Sequence, residues 1–174
     1  MKQTQCLKCH RKAEALLLCR ACFGTTIEKR IRKYVRINKI FSRGDRIAAI
    51  GEINQYLIPR IIPGLPVRIF KKEQKGTKVI RNWTADDEAC AFLEQVFTGK
   101  KSKRPLSIVN WTTDKELESF AKFKGLKFKP NKKNQDILKM LNTLEEKHPE
   151  TKFSLIKSSQ ELERIGIKRK KLIS

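Results

Sequence analysis

The stretch Ser42-Arg43-Gly44-Asp45-Arg46-Ile47-Ala48-Ala49-Ile50-Gly51-Glu52-Ile53-Asn54-Gln55-Tyr56-Leu57-Ile58-Pro59 decides the fold. Ser42 to Asp45 has turn chemistry, and the short apolar run Arg46 to Ile50 suits a buried strand. Gly51 interrupts the run. From Gly51 to Ile58 the pattern reads as a strand passing into a short helix that Pro59 stops, since proline lacks the N–H that the helical ladder needs. A strand passing straight into a helix is the join from which α/β sheets are built.

Toward the C-terminus, Pro63, Gly64 and Pro66 make a loop. Val67 to Phe70 and Thr77 to Ile80 are two further strand candidates around Lys75-Gly76, and whether they pair as a hairpin is left open. Thr84 is an N-cap candidate for a helix with acids at Asp86, Asp87 and Glu88, ending near Gly99. Cys90 on that helix reads as a small buried apolar residue. Thr113 with Glu116 forms a capping-box pattern, followed by Leu117, Phe120, Ala121 and a stop at Gly125. Asn134 to Lys147 repeats the logic, with Ile137, Leu138, Leu141 and Leu144 on one face. Phe120, Phe123, Phe128, Trp83 and Trp111 could stack on bases only if they stand in a basic groove; the core is their ordinary place.

Toward the N-terminus, a helix expected over Thr26–Ile37 places Ile27, Ile31, Tyr34 and Val35 on one side. Lys29, Arg30, Arg32, Lys33 and Arg36 occupy much of the rest, with Glu28 the single acid among them. Such a face repels itself unless a polyanion lies against it, so it points to phosphate-backbone contact. Ahead of it stand Cys6-x2-Cys9 and Cys19-x2-Cys22, four of the chain's five cysteines. Each pair can form a knuckle that aims two thiolates at one ion, and together they supply a closed tetrahedral set for zinc. An iron–sulfur cluster would use the same donors. Lys8, Arg11, Lys12 and Arg20 decorate this knot and extend the basic surface.

The whole chain agrees with its parts. At 174 residues it has room for one ordinary domain and a small appendage, and a net charge of +22 exceeds what solubility asks. A polyanionic partner is the expectation. A hydrophobic share of 39% argues against disorder. No apolar run approaches the roughly 18 residues of a membrane span, and no secretion signal is visible, so a cytoplasmic protein without membrane contact is expected. The divisions read from the sequence are 1–24, a four-cysteine zinc knot; 25–40, a basic linker helix; 41–167, an α/β domain; and 168–174, a basic tail containing Lys168-Arg169-Lys170-Lys171.

The order of knot, LCRACF phrase (18–23), basic helix, strand after Gly44-Asp45, and WTADDEACAFLEQVFTGK (83–100) resembles the PP-loop ATP-pyrophosphatase family that thiolates tRNA. PLSIVNWTTDKELESFAKFKGLKF (105–128) and LNTLEEKHPETKFSLIKS (141–158) are similar to segments of its archaeal and eukaryotic cytosolic 2-thiouridine branch. The resemblance implies a shortened, doubly wound parallel sheet of the adenine nucleotide alpha hydrolase-like kind, preceded by the zinc knot. In that family the enzyme adenylates a wobble uridine before sulfur transfer.

This sequence departs from the family at its chemistry. Where the family has the loop Ser-Gly-Gly-x-Asp-Ser, residues 52–57 read Glu-Ile-Asn-Gln-Tyr-Leu. Side chains stand where backbone must approach phosphate, and Glu52 sets an anion against an anion. The segment that carries the family's central C-x2-C is missing. After the short strand that would match Leu126 to Phe128, Lys129-Pro130-Asn131 replaces the family's later cysteine.

These departures lead to the expectation of a chain that is not an enzyme: a non-catalytic tRNA-binding subunit of a wobble-uridine 2-thiolation system. Its cofactor would be zinc on Cys6, Cys9, Cys19 and Cys22. Its partners would be tRNA and either a catalytic paralogue or a second copy of itself. The alternative is a free-standing RNA-binding or ribosome-associated zinc protein derived from the same scaffold. With only Val67 to Phe70 on one side of the first strand, the sheet should be narrow, and association should use that edge or the Ile27, Ile31 and Val35 stripe.

Overall fold

In a computed structural model of the chain, residues 5–100 and 103–173 are described, without the side chains of residues 163 and 166–173. The first strand, β1 (Arg46–Ala49), lies at the centre of a three-stranded, all-parallel sheet. β2 (Arg68–Phe70) and β3 (Lys78–Ile80) flank it on opposite sides, in register Ile47 with Ile69 and Ala48 with Val79. The two outer strands are therefore not a hairpin: each pairs with β1. Burial explains the choice, because Ile47, Ala48 and Ala49 are fully buried and a strand covered on both faces belongs in the middle. The fold is thus the small α/β parallel sheet expected from the sequence.

Among the described residues, six helices surround the sheet. α1 (Arg20–Ile37), α2 (Glu52–Ile61) and α4 (Asp114–Lys124) bury Phe23, Ile27, Ile31, Ile53, Leu57, Leu117 and Phe120 in one core with β1. Full burial of such side chains stabilises by about 1.5 to 3 kcal/mol each. α3 (Ala85–Thr98), α5 (Gln135–Lys147) and α6 (Thr151–Ile173) meet around a smaller cluster of Ala89, Cys90, Ile137 and Leu141. Cys90 is a small buried residue of that cluster, as expected, and burial raises its thiol to about 11, so it stays protonated.

Capping chemistry sets the helix ends at the expected residues. Thr84 and Asp87 close a capping box on α3, Thr113 and Glu116 close one on α4, and Gly99 and Gly125 terminate those helices in the left-handed region. Four expectations need correction. α1 starts at Arg20 rather than Thr26, because Phe23 and Gly24 extend its buried face to the knot. α2 passes Pro59 and ends at Ile61: the proline forgoes one helical bond, and the buried Ile58 and Ile61 on either side hold the last turn against the core. Leu126 to Phe128 is not a strand; Leu126 and Phe128 only lean on the main core. The Ile27, Ile31 and Val35 stripe is inside that core and is no partner surface. The side chains of Lys168 to Lys171 lie outside the described residues, while the backbone there continues α6.

Candidate metal centre and nucleic-acid interface

The knot is built by two short reversals. Cys6 N–H donates to Arg11 O at 2.7 Å and His10 N–H to Cys6 O at 2.9 Å, which closes the first knuckle. Leu7 N–H donates to Leu17 O at 3.0 Å, and Cys19 is the residue from which α1 starts. The Sγ atoms of Cys6, Cys9, Cys19 and Cys22 all lie within 4.8 Å of one another, so the four expected ligands converge on one point. His10 is exposed and outside the group. Burial opposes ionisation of Cys6, but backbone N–H groups of Cys19, Lys8 and Cys9 outweigh it and bring the thiol down to about 6. Cys22 shifts the other way: hydrogen bonds with Cys9 and Cys19 and its burial push it up to about 12. Four thiols converging this closely form a donor set that a soft cation can bind as thiolates, with release of their protons.

Basic residues fall into two groups. Arg20 donates to Phe123 O and lies over the Phe123 ring, Lys8 Nζ donates to Thr26 Oγ1 at 2.7 Å, and Arg32 donates to Arg60 O at 2.9 Å. Through one guanidinium nitrogen, Nη1, Arg30 donates to both carboxylate oxygens of the buried Glu116 at 2.8 Å and to Trp111 O at 3.2 Å, tying α1 to α4. By contrast, Arg11, Lys12, Lys29, Lys33 and Arg36 are exposed and have no ion-pair partner among the described residues. The sequence could not separate these groups, because the partners of the first lie up to a hundred residues away.

At the carboxyl ends of the strands, where ligands bind in open α/β sheets, side chains fold inward. Gly51 takes φ 89°, and a Cβ there would meet Asn82 Nδ2 at 3.1 Å. Asn54 Nδ2 donates to Ile50 O, Gln55 Nε2 to Ala49 O, and Glu52 accepts from Lys127 N–H at 2.8 Å. The Lys129-Pro130-Asn131 segment crosses the same region, with Asn131 Nδ2 donating to Asn82 O and Asp87 Oδ2. Behind it, Lys133 bridges Asp87 and Asp114 at 2.7 Å each, and Lys152 bridges Asp86 and Glu145 at 2.7 Å each. The sequence does not disclose this paired network: Asp86 and Asp87 read there only as acids in the first turn of a helix, and their lysine partners lie far along the chain.

No protein-family model matches the chain, and no curated protein matches it in sequence. Among solved structures, the chain is similar to the U34-tRNA thiolase NcsA from Methanococcus maripaludis with its [4Fe-4S] cluster, at 14% identity. The match covers 93% of this chain and 88% of that one, with a TM-score of 0.69. The likeness extends over nearly the whole of both chains, and at this identity it is a likeness of fold. The expectation that the chain is not an enzyme is corrected by this finding: the protein it follows over nearly its whole length is a thiolase, so the departures at residues 52–57 assign no non-catalytic role. Among the described residues no helix is long and apolar enough to cross a membrane.

Proposed function

We propose that the protein works on tRNA in a thiolation reaction in the cytoplasm, with zinc held by Cys6, Cys9, Cys19 and Cys22. The observation that carries the reading is the extended likeness in fold to a U34-tRNA thiolase. The charge of +22, with Lys29, Lys33 and Arg36 exposed along one helix, supports tRNA as the partner, since each cation set against a phosphate releases a counterion. A second copy or a related thiolation protein is the proposed protein partner.

The four-cysteine geometry supports a single ion over a four-iron cluster. Tetrahedral zinc binds each thiolate at about 2.3 Å, so the sulfurs crowd together. A cluster places each thiolate on a different iron and spreads them further apart. The remaining cysteine, Cys90, sits alone in the α3 cluster, so no second four-thiolate set is available for a cluster elsewhere. Zinc here would order the knuckles and the start of α1, placing Arg11 and Lys12 beside the helical cations.

The test is a reaction of the purified protein with tRNA, Mg-ATP and a sulfide source, followed by mass spectrometry of the nucleosides and metal analysis. Appearance of 2-thiouridine with one zinc per chain is expected. Unmodified tRNA, both in this reaction and in cells that overproduce the protein, would overturn the thiolation reading. Iron with visible charge-transfer absorption would overturn zinc.

A further inference from the structure

A groove of about 420 Å³ runs between α1 and α6. α1 supplies Arg30, Lys33, Tyr34 and Ile37, its C-cap supplies Asn38, α6 supplies Gln160, and Trp111 completes the lining. Several of these groups are held in place. Arg30 is fixed by Glu116 and by Trp111 O, the Tyr34 hydroxyl accepts from Asn110 Nδ2 at 2.8 Å, and Tyr34 O accepts from Asn38 Nδ2 at 2.9 Å. Trp111 is stacked on Phe153, with centroids 5.6 Å apart and planes 4° from parallel. Trp111 lines the groove and Phe153 does not, so the stack offers its indole to the opening.

The groove combines features that rarely meet by accident. It is aromatic and apolar in its walls, with Ile37 63% exposed beside Trp111, and it is rimmed by cations with no carboxylate lining it. Lys33 Nζ and the Trp111 indole N–H have no protein partner among the described residues. Lys29 and Arg36 stand on the same helix, exposed. The other aromatic candidates are engaged elsewhere: Phe120 is buried, Phe123 packs edge-on against Phe23, Phe128 packs against the main core, and Trp83 donates its N–H to Glu88 at 2.8 Å. Trp111 is thus the aromatic group that stands in a basic groove.

We propose that this groove binds an unpaired nucleotide of RNA, its base stacked on Trp111 and the flanking phosphates set against Lys33 and its neighbours on α1. A positive rim with an aromatic floor is the general solution for holding single-stranded nucleic acid, because every base has a π-face and every phosphate a charge. An acidic peptide would meet the rim but would have no use for a rigid indole stack. The inference rests on the tRNA reading and narrows it: it names the part of the molecule where a base leaves its neighbours.

The experiment compares a short single-stranded oligoadenylate with an abasic ribose-phosphate of equal length, which has the same charge and no bases. The intact protein should bind the oligoadenylate at least about fivefold more tightly, and Trp111→Ala should remove that preference while leaving abasic binding nearly unchanged. Because Trp111 also supports Phe153, Ile37→Glu serves as a second variant: it alters an exposed wall without opening the core, and it should weaken the oligoadenylate by a similar factor. Equal binding of the two oligomers by the intact protein, or a base preference that survives both variants, overturns the groove assignment. Salt-dependent tRNA binding without base preference would sink this inference alone. Absence of any tRNA binding would sink it together with the thiolation reading.

Discussion

Lys133 shows what a single residue does in this fold. Its side chain is 3% exposed and bridges Asp87, 1% exposed, and Asp114, so one cation holds α3 to the start of α4. Burial raises the Asp114 carboxyl above its ordinary range although Lys133 and Thr84 both bond to it, and Asp86 adds to the rise. Two carboxylates left there without their cation would be costly. Lys133→Ala should therefore lower stability by about 3 to 5 kcal/mol, as for other broken buried pairs, read as a shift of the urea midpoint. A loss under about 1 kcal/mol would mean water reaches the site. Asp45 carries the opposite sign. Burial acts to raise its carboxyl, but Lys78 at 2.6 Å and the Ser42 N–H outweigh it and hold it below the ordinary value. Its contribution is thus complete above the unfolded value near 3.9 and is lost as pH falls through the folded one. Asp45→Asn should remove part of the acid-side fall in melting temperature between about pH 5 and 2 while changing the curve at alkaline pH little.

At the scale of elements, α1 has two faces that the sequence merges into one basic pattern. Its apolar stripe is legible because a period of 3.6 is local, and so are the caps at Thr84, Thr113, Gly99 and Gly125, each made within a few residues. The division of its cations is not legible, because Glu116 lies 86 residues from Arg30. The two faces should separate experimentally. Arg30→Ala leaves the buried Glu116 without its cation and should cost about 1 to 3 kcal/mol of stability. Changing Lys29, Lys33 and Arg36 together to Ala should leave the melting temperature nearly unchanged. The log-log salt slope of tRNA binding should then fall by about 2 to 3, at about 0.7 to 0.9 for each phosphate contact. A triple variant with an unaltered slope would move the RNA face away from α1. The short edge strand β2 is less apolar than expected. It carries Arg68 and exposes Ile69, while Arg46 covers Phe70 at 5.3 Å and lysines follow at 71 and 72, a charged edge that discourages strand pairing.

For the whole molecule, the parallel α/β class and the convergence of four cysteines are legible in the sequence, since both depend on short-range order and spacing. The long helix α6 and the ionic network beneath the strand ends are hidden, because both depend on which distant segments meet. The join of knot and domain divides the chain in the same way. Residues 5–19 bury little apolar surface beyond Ala15 and Leu18, which lean on the main core, so their order rests on the metal and a few backbone bonds. From Phe23 onward, α1 is part of the main core through Phe23, Ile27 and Ile31. Metal removal should therefore act on the knuckles and the first turn of α1, up to Cys22, and not beyond Phe23. In hydrogen exchange after chelation, the amides of Cys6, Leu7, His10 and Leu18 should lose protection, while Ile47 to Ala49 in β1 and Ile27 to Ile31 in α1 keep theirs. Cys6→Ser should reproduce the pattern without chelator. Loss of protection in β1 on chelation would mean that the four-cysteine site stabilises the sheet itself, and the knot would then be a structural part of the domain rather than an appendage held by its own ion.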